Sequence, residues 1–192
     1  MNQKIGRPRS EEAKKAILDT TYELLLEHGF ANLTIEGVAK RAGVSKVTIY
    51  KWWKTKGALV LDSFFEATET ILPVPNTGSI RDDLFQQVNN LSEFINSTKG
   101  KVIAEFIAEG QYEEEFAAEY RTRYFIPRRL ISREIFERGI QRGEIDEDID
   151  IELYLDLIFA PVFYRLLITG DAITTDYISN IIEISLYRLL KE

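Results

Sequence analysis

The stretch from Leu33 to Lys56, LTIEGVAKRAGVSKVTIYKWWKTK, limits what this chain can fold into more than any other. Two short helical patterns meet in it at a tight turn. Thr34 is placed to cap the first, with Glu36 in its first turn at the positive helix end. Ile35, Val38, Ala39 and Ala42 recur at helical spacing and form one apolar face. Gly43 ends that helix, because glycine takes a left-handed backbone at little cost. Ser45 caps a second helix at once. This second helix, Lys46 to about Trp52, offers Val47 and Trp53 to the inside. It leaves Lys46, Thr48, Tyr50, Lys51 and Lys54 outside. Two helices joined by so short a glycine turn, the second short and rich in donors, form a helix-turn-helix. Such a second helix fits the major groove of duplex DNA. The competing reading is a helical hairpin with solvated lysines. It leaves unexplained the tight cap-turn-cap spacing, the mixture of cations, hydroxyls and aromatics on one face, and the cationic segment upstream.

Charge supports a polyanionic partner for this part of the chain only. The net charge is −7. Residues 1–60 carry 11 Lys/Arg against 6 Asp/Glu, and residues 61–192 carry 13 against 25. A basic small module on a larger acidic one points to the first alone meeting a polyanion. At 192 residues and 45% hydrophobic, the chain has enough apolar content for a folded core. It contains no cysteine, which excludes disulfides and thiolate metal sites. The start, MNQKIGRPRSEE, lacks the apolar run of a signal peptide. The most apolar run, 151–168, holds Glu152, Asp156, Arg165 and Pro161 and is a poor membrane span. A soluble, cytoplasmic protein is expected.

Taken in order, residues 1–9 read as a mobile arm in which Arg7 and Arg9 can enter the minor groove, where narrow width favours arginine. Ser10 is expected to cap a first helix, 10–28, with Ile17, Leu18, Thr21, Leu24 and Leu25 facing inward. Gly29 closes it, and Phe30 follows as a plug. His28, the only histidine, is placed to steady the helix end rather than to perform chemistry. Helices 10–28, 34–42 and 45–52 make a small bundle. Thr55 caps a fourth helix to about Ile71. Lys56 at its start opposes the helix dipole, which a phosphate bound there would explain. Pro73, Pro75 and Gly78 break the chain. Further helices are expected from Ser79, over 101–110, over 113–139 with a kink or split at Pro127, over 151–169, and over 175–191. Glu113 to Glu115 resemble metal ligands only superficially, since adjacent helical residues point apart. The last two helices are apolar on more than one face. A self-complementary homodimer interface is the economical way to bury them.

These residues resemble the DNA-binding signature of the TetR/AcrR transcriptional regulators. The likeness rests on TIEGVAKRAGVSKVTIYKWWKTKGAL and spans about residues 10–60 without a gap. Thr34, Ala39 to Ser45, Tyr50, Trp52–Trp53 and Lys56 stand at the family's positions; the aromatic pair is often His-Phe in the family. The resemblance implies an all-α fold: a three-helix, homeodomain-like helix-turn-helix domain (1–55), then a larger helical ligand-binding and dimerisation domain (56–192). It implies a DNA-binding regulator, a repressor by family default, released from a palindromic operator by a small-molecule effector. By position, Thr34, Tyr50 and Lys56 should meet phosphates. Lys46 and Thr48 should meet base edges, with Lys51 near either. Ser45 sits in the same face, Trp53 should be core, and Trp52 should lie against the backbone. An effector cavity is expected among the middle helices, lined by some of Phe85, Phe106, Tyr112, Phe116, Tyr120, Tyr124, Phe159, Phe163 and Tyr164. No cofactor, metal, catalytic set or membrane contact is expected. The alternative is a helical interaction or dimerisation module without a ligand, which would not account for residues 33–56.

Overall fold

The computed structural model describes residues 7–69, 71–97, 99–187 and 189–190, with side chains from residue 11 onward. Ten α-helices follow one another, and no strand occurs among the described residues: α1 Arg7–Asn32, α2 Ile35–Arg41, α3 Lys46–Tyr50, α4 Lys56–Glu69, α5 Ile80–Asn96, α6 Lys101–Tyr112, α7 Glu114–Tyr120, α8 Ile126–Gln141, α9 Ile151–Tyr164 and α10 Thr175–Leu186. Wide π-type turns, Arg121–Phe125 and Arg165–Thr169, follow α7 and α9. No helix among the described residues is long and apolar enough to cross a membrane. The all-α architecture expected from the periodicity is present. Compactness, however, does not divide the chain at residues 55 and 56. One unit comprises residues 1–71 with 105–124, and the other comprises 72–104 with 125–192.

In the first unit, the inward stripe of α1 is buried throughout: Ile17, Leu18, Thr21, Leu24 and Leu25. Thr21 satisfies its hydroxyl on the Ile17 carbonyl at 2.7 Å, and Ser63 of α4 donates to the Leu18 carbonyl at 2.7 Å. α1 starts three residues earlier than Ser10. The start therefore falls at Arg7-Pro8, where proline is tolerated because the first helical turn needs no donor. Ser10 is thus inside the helix, and residues 7–9 are helical rather than an arm. Residues 1–6, and the side chains of Arg7 and Arg9 with their minor-groove role, lie outside the described residues. Near its end α1 kinks at Gly29, whose φ of 74° favours glycine. The kink turns Phe30 inward and aims its N–H at Glu105 Oε2, 2.8 Å away. Phe30 then meets Phe106 and Phe116, and Phe64 meets Phe106 and Tyr124, with ring centroids 4.7–5.9 Å apart.

The second unit packs α5, α8, α9 and α10 around Ile80, Leu84, Val88, Phe136, Leu155, Ile158 and Ile182. α5 can approach α8 closely because position 139 is glycine; a Cβ there would lie 2.8 Å from Ile80 Cδ1. The segment before α5 is held by Asp83, which is fully buried. Its Oδ1 accepts from Thr77 N–H at 2.6 Å and from Thr77 Oγ1 at 2.7 Å, and its Oδ2 lies 3.3 Å from Arg138. The pattern expected over 113–139 is split, and the break is the π-type turn before Pro127, which itself sits in the first turn of α8. α9 runs through Pro161 without ending, and from Tyr164 the helical path widens into the π-type turn that ends at Thr169, the expected limit. α10 stops at Leu186 rather than Lys191. Both keep apolar residues on their outer faces: Leu153 and Leu157 of α9 are 51% and 49% exposed, Ile184 of α10 is 79% exposed, and Tyr187 just after α10 is 84% exposed.

Removing the Asp83 carboxylate takes the acceptor from the Thr77 N–H, breaks the fully buried carboxylate's pairing with the half-buried Arg138, and leaves space where the carboxylate was. Asp83→Ala is expected to lower unfolding free energy by about 3 kcal/mol. Urea denaturation followed by circular dichroism measures it, and a loss below about 1 kcal/mol would contradict the role given to Asp83.

Candidate nucleic-acid interface

The helix-turn-helix is built by three local devices. Thr34 adopts an extended backbone and its hydroxyl accepts from Gly37 N–H at 3.1 Å, capping α2. α2 ends as Gly43 turns left-handed at φ 68°, so that Val44 N–H returns to the Ala39 carbonyl at 3.0 Å. Ser45 then caps α3, accepting from Thr48 N–H at 3.1 Å, with its oxygen 2.9 Å from Thr48 Oγ1. The hydroxyls of Thr34 and Ser45 are thereby engaged in setting helix positions. Arg41 fastens α2 to α1 through Glu23 and Glu27, at 3.1 and 2.7 Å.

α3 has only five residues and is held from below by two side chains. Ile49 is fully buried and Trp53 nearly so, and Trp53 Nε1 donates to Asp62 Oδ2 at 2.8 Å. Val47, expected inside, is 68% exposed. The reason is angular: Ile49 and Trp53, four apart, share one side of the turn, and a residue two before Ile49 points the other way. The Ile49–Trp53 spacing was the signal available for this. Tyr50 is 44% exposed, and Lys51 and Lys54 are exposed, so Lys46, Val47, Tyr50 and Lys51 form the outward side with Thr48 half-buried beside Ser45. Trp52 is half-buried and meets Trp53 edge-on at 5.6 Å.

Lys46 is not alone on this face. Its Nζ donates to Glu36 Oε1 at 2.6 Å, a bond from α3 to α2 that the sequence separation of ten hides. The bond and the opposite charge raise the Lys46 ammonium above its ordinary value and hold the Glu36 carboxyl below its own. Lys56 also has a structural explanation. Its Nζ donates to the Phe30 carbonyl at 3.0 Å and stands 4.2 Å from the Phe30 ring centroid. The ammonium thus closes the end of α1 after the Gly29 kink. This accounts for a cation at the start of α4 without a phosphate.

The residues expected to line an effector cavity fall into both units. Phe106, Phe116 and Tyr124 are buried in the first, and Tyr120 stacks on Tyr124 at 5.7 Å, its phenol pushed up by burial. Tyr112, by contrast, is 88% exposed at the end of α6, whose buried apolar residues are Val102, Ile103 and Phe106. In the second unit Phe85, Phe159 and Phe163 are half-buried and Tyr164 is 57% exposed. A groove of about 360 Å³ does lie there, between α9 and α10, but it is lined by Tyr154, Leu157, Pro161, Tyr177, Ile181 and Ile184.

Lys56→Ala is expected to lower stability by about 1–2 kcal/mol, since it uncaps Phe30 and removes the contact with its ring. Lys51→Ala, on the exposed side of the same motif, should change stability by less than about 0.5 kcal/mol. Urea denaturation of the two variants side by side separates a structural lysine from a surface one.

Comparison with known proteins gives this geometry a family. Residues 17–62 match the family described as bacterial regulatory proteins, tetR family, and residues 74–184 match the tetracyclin repressor-like C-terminal domain. The chain is 50% identical over 182 residues to the uncharacterized HTH-type transcriptional regulator YdeS of Bacillus subtilis, covering 95% of this chain and 92% of that one. It is 26% identical over 165 residues to the DNA-binding transcriptional repressor TetR of Mycobacteroides abscessus, covering 84% and 86%. Among solved structures, the TetR family transcription regulator SCO0332 superposes with a TM-score of 0.83 at 34% identity, over 92% of this chain and 97% of that one. The chain belongs to the TetR family of helix-turn-helix transcriptional regulators.

Proposed function

We propose that the chain acts in the cytoplasm as a homodimeric repressor that binds a palindromic operator and leaves it when a small, largely apolar effector binds. The observation that carries the DNA-binding part is the outward side of α3, where Lys46, Val47, Tyr50 and Lys51 stand clear of the core on a doubly capped helix-turn-helix. Lys46 and Val47 face base edges, a valine methyl suiting the thymine methyl group. Thr48 borders them, while Tyr50, Lys51 and Trp52 meet the sugar-phosphate backbone with the α2 end at Thr34. Lys46→Ala is expected to weaken the preferred operator about tenfold while changing random duplex much less. Lys51→Ala should weaken both equally and reduce the salt slope by about one. Fluorescence anisotropy on an operator selected from random duplexes reads both effects.

Dimerisation is attributed to the outer faces of α9 and α10, where large apolar residues are solvent-exposed in the single chain. Two such faces brought together by a twofold axis bury each other. Leu186 is buried within its own unit and Ile184 is not, so Ile184 is the informative position. Ile184→Asp should leave the melting of the single chain intact and weaken the dimer about 100-fold, seen as a monomer by sedimentation at micromolar concentration.

The effector reading rests on the aromatic cluster of residues 106–124, packed on Phe30 and Phe64 of the DNA-binding unit. A molecule that parts these rings would move α1 and α4, and with them the spacing of two recognition helices. A 100-fold release requires about 2.7 kcal/mol of coupling. Thermal-shift screening of metabolites, followed by operator titration with each stabilising compound, is the check. Compounds that raise the melting temperature and leave operator affinity unchanged would rule out release by that route.

A further inference from the structure

The Glu36–Lys46 pair is an unusual thing to find on a face that meets a polyanion. A lone carboxylate there repels phosphate, and an exposed ion pair by itself contributes little to stability. Both side chains are more than half exposed, at 67% and 51%, so the pair is not there to satisfy burial. It joins the first turn of α2 to the first residue of α3, the two helix starts that the caps of Thr34 and Ser45 place side by side. The ammonium uses one of its three N–H groups on Glu36 Oε1, which leaves two donors on Lys46; the Glu36 carboxylate also takes its own backbone N–H and keeps lone pairs with which to accept once more.

Donors beside an acceptor, in that order, match one base-pair edge. In the major groove a G·C pair presents guanine N7 and O6 as adjacent acceptors and then cytosine N4–H as a donor. We propose that Glu36 and Lys46 read one G·C base pair as a unit, Lys46 donating to guanine N7 and O6 and the Glu36 carboxylate accepting from cytosine N4–H. The ion pair fixes which end of the edge is donor and which is acceptor. An A·T pair sets a donor, adenine N6–H, before the ammonium and sets thymine O4 and its methyl before the carboxylate. A C·G pair reverses the order. Glu36 therefore makes the protein give up affinity for DNA in general and reject wrong pairs in particular, which is specificity through repulsion.

The inference rests on the outward side of α3 being the DNA face. The test is selection from a randomised duplex pool by the full-length protein and by its Glu36→Gln and Glu36→Ala variants, each checked for an unchanged melting temperature. The wild-type half-site should contain one position held as G·C with a preference of about tenfold or more. In both variants that preference should fall about tenfold, with the other positions retained. Binding to random duplex should tighten, and the salt slope should steepen by about one as Lys46 becomes free to pair with phosphate. If the variants select the same half-site with the same G·C preference, the pair does not read a base and the proposal is overturned, while DNA binding stands. If the Glu36-dependent position is A·T, the assignment of the edge is overturned. If the wild type selects nothing, the DNA face itself is misassigned and both readings fail.

Discussion

The position of the recognition helix depends on the burial of one indole. A helix of five residues has too few internal hydrogen bonds to hold itself. α3 is held instead by Ile49 and Trp53, both on its inner side and both removed from water. A buried indole N–H needs an acceptor, and Asp62 of α4 supplies it. The same carboxylate meets Arg123 at 2.9 and 3.0 Å, so the chain of contacts continues from α3 through α4 to the turn after α7. A half-exposed arginine on a carboxylate adds little stability by itself. Its effect is to orient Asp62, and thereby the indole and the helix above it.

The same logic recurs at the other contacts between the DNA-binding helices and residues 105–124. Glu105 receives the Phe30 N–H, Glu119 receives the Thr55 hydroxyl at 2.8 Å, and Thr55 in turn caps α4 through Ala58 N–H. Gly57 makes room for this, since a Cβ there would fall 2.6 Å from Glu119 and 2.8 Å from Phe116. Each contact falls at a helix end or a kink: the close of α1, the start of α4, the close of α3. Helix ends are the places where unpaired backbone groups must find partners. They are also where a small displacement of one element changes the direction of the next. A segment that satisfies three helix ends therefore controls their directions, whatever moves it.

Much of this was legible in the sequence, and the failures have physical causes. The inward stripe of α1, the caps Thr34, Ser45 and Ser79, the Gly43 turn and the core role of Trp53 follow from periodicity and capping, which are local. Val47 was misplaced because a five-residue helix has too short a period to average over, and one apolar residue outside looks like one inside. The partners of Lys46 and Lys56 lie ten and 26 residues away, across turns that a linear reading does not close. The division into compact units was hidden for the same reason. Nothing in the composition of 105–124 says that its aromatic face belongs with Phe30 and Phe64 rather than with the helices that follow it.

The charge distribution then gains a sharper meaning. Residues 1–60 carry an excess of cations, but the structure commits several of them. Arg41 is held by Glu23 and Glu27, Lys15 by Asp19, Lys46 by Glu36, and Lys56 by a carbonyl and a ring. The cations left to meet phosphate are fewer than the count implies, and the salt-dependent, sequence-blind part of DNA affinity scales with those alone. A DNA-binding module with reduced non-specific attraction relies more on base contacts for its affinity. Such binding is sensitive to how the recognition helix is oriented, because base contacts demand alignment and phosphate attraction does not. The neutralised cations and the helix-end tethers thus act in the same direction: they make binding depend on geometry, the one quantity that a change elsewhere in a helical protein can alter.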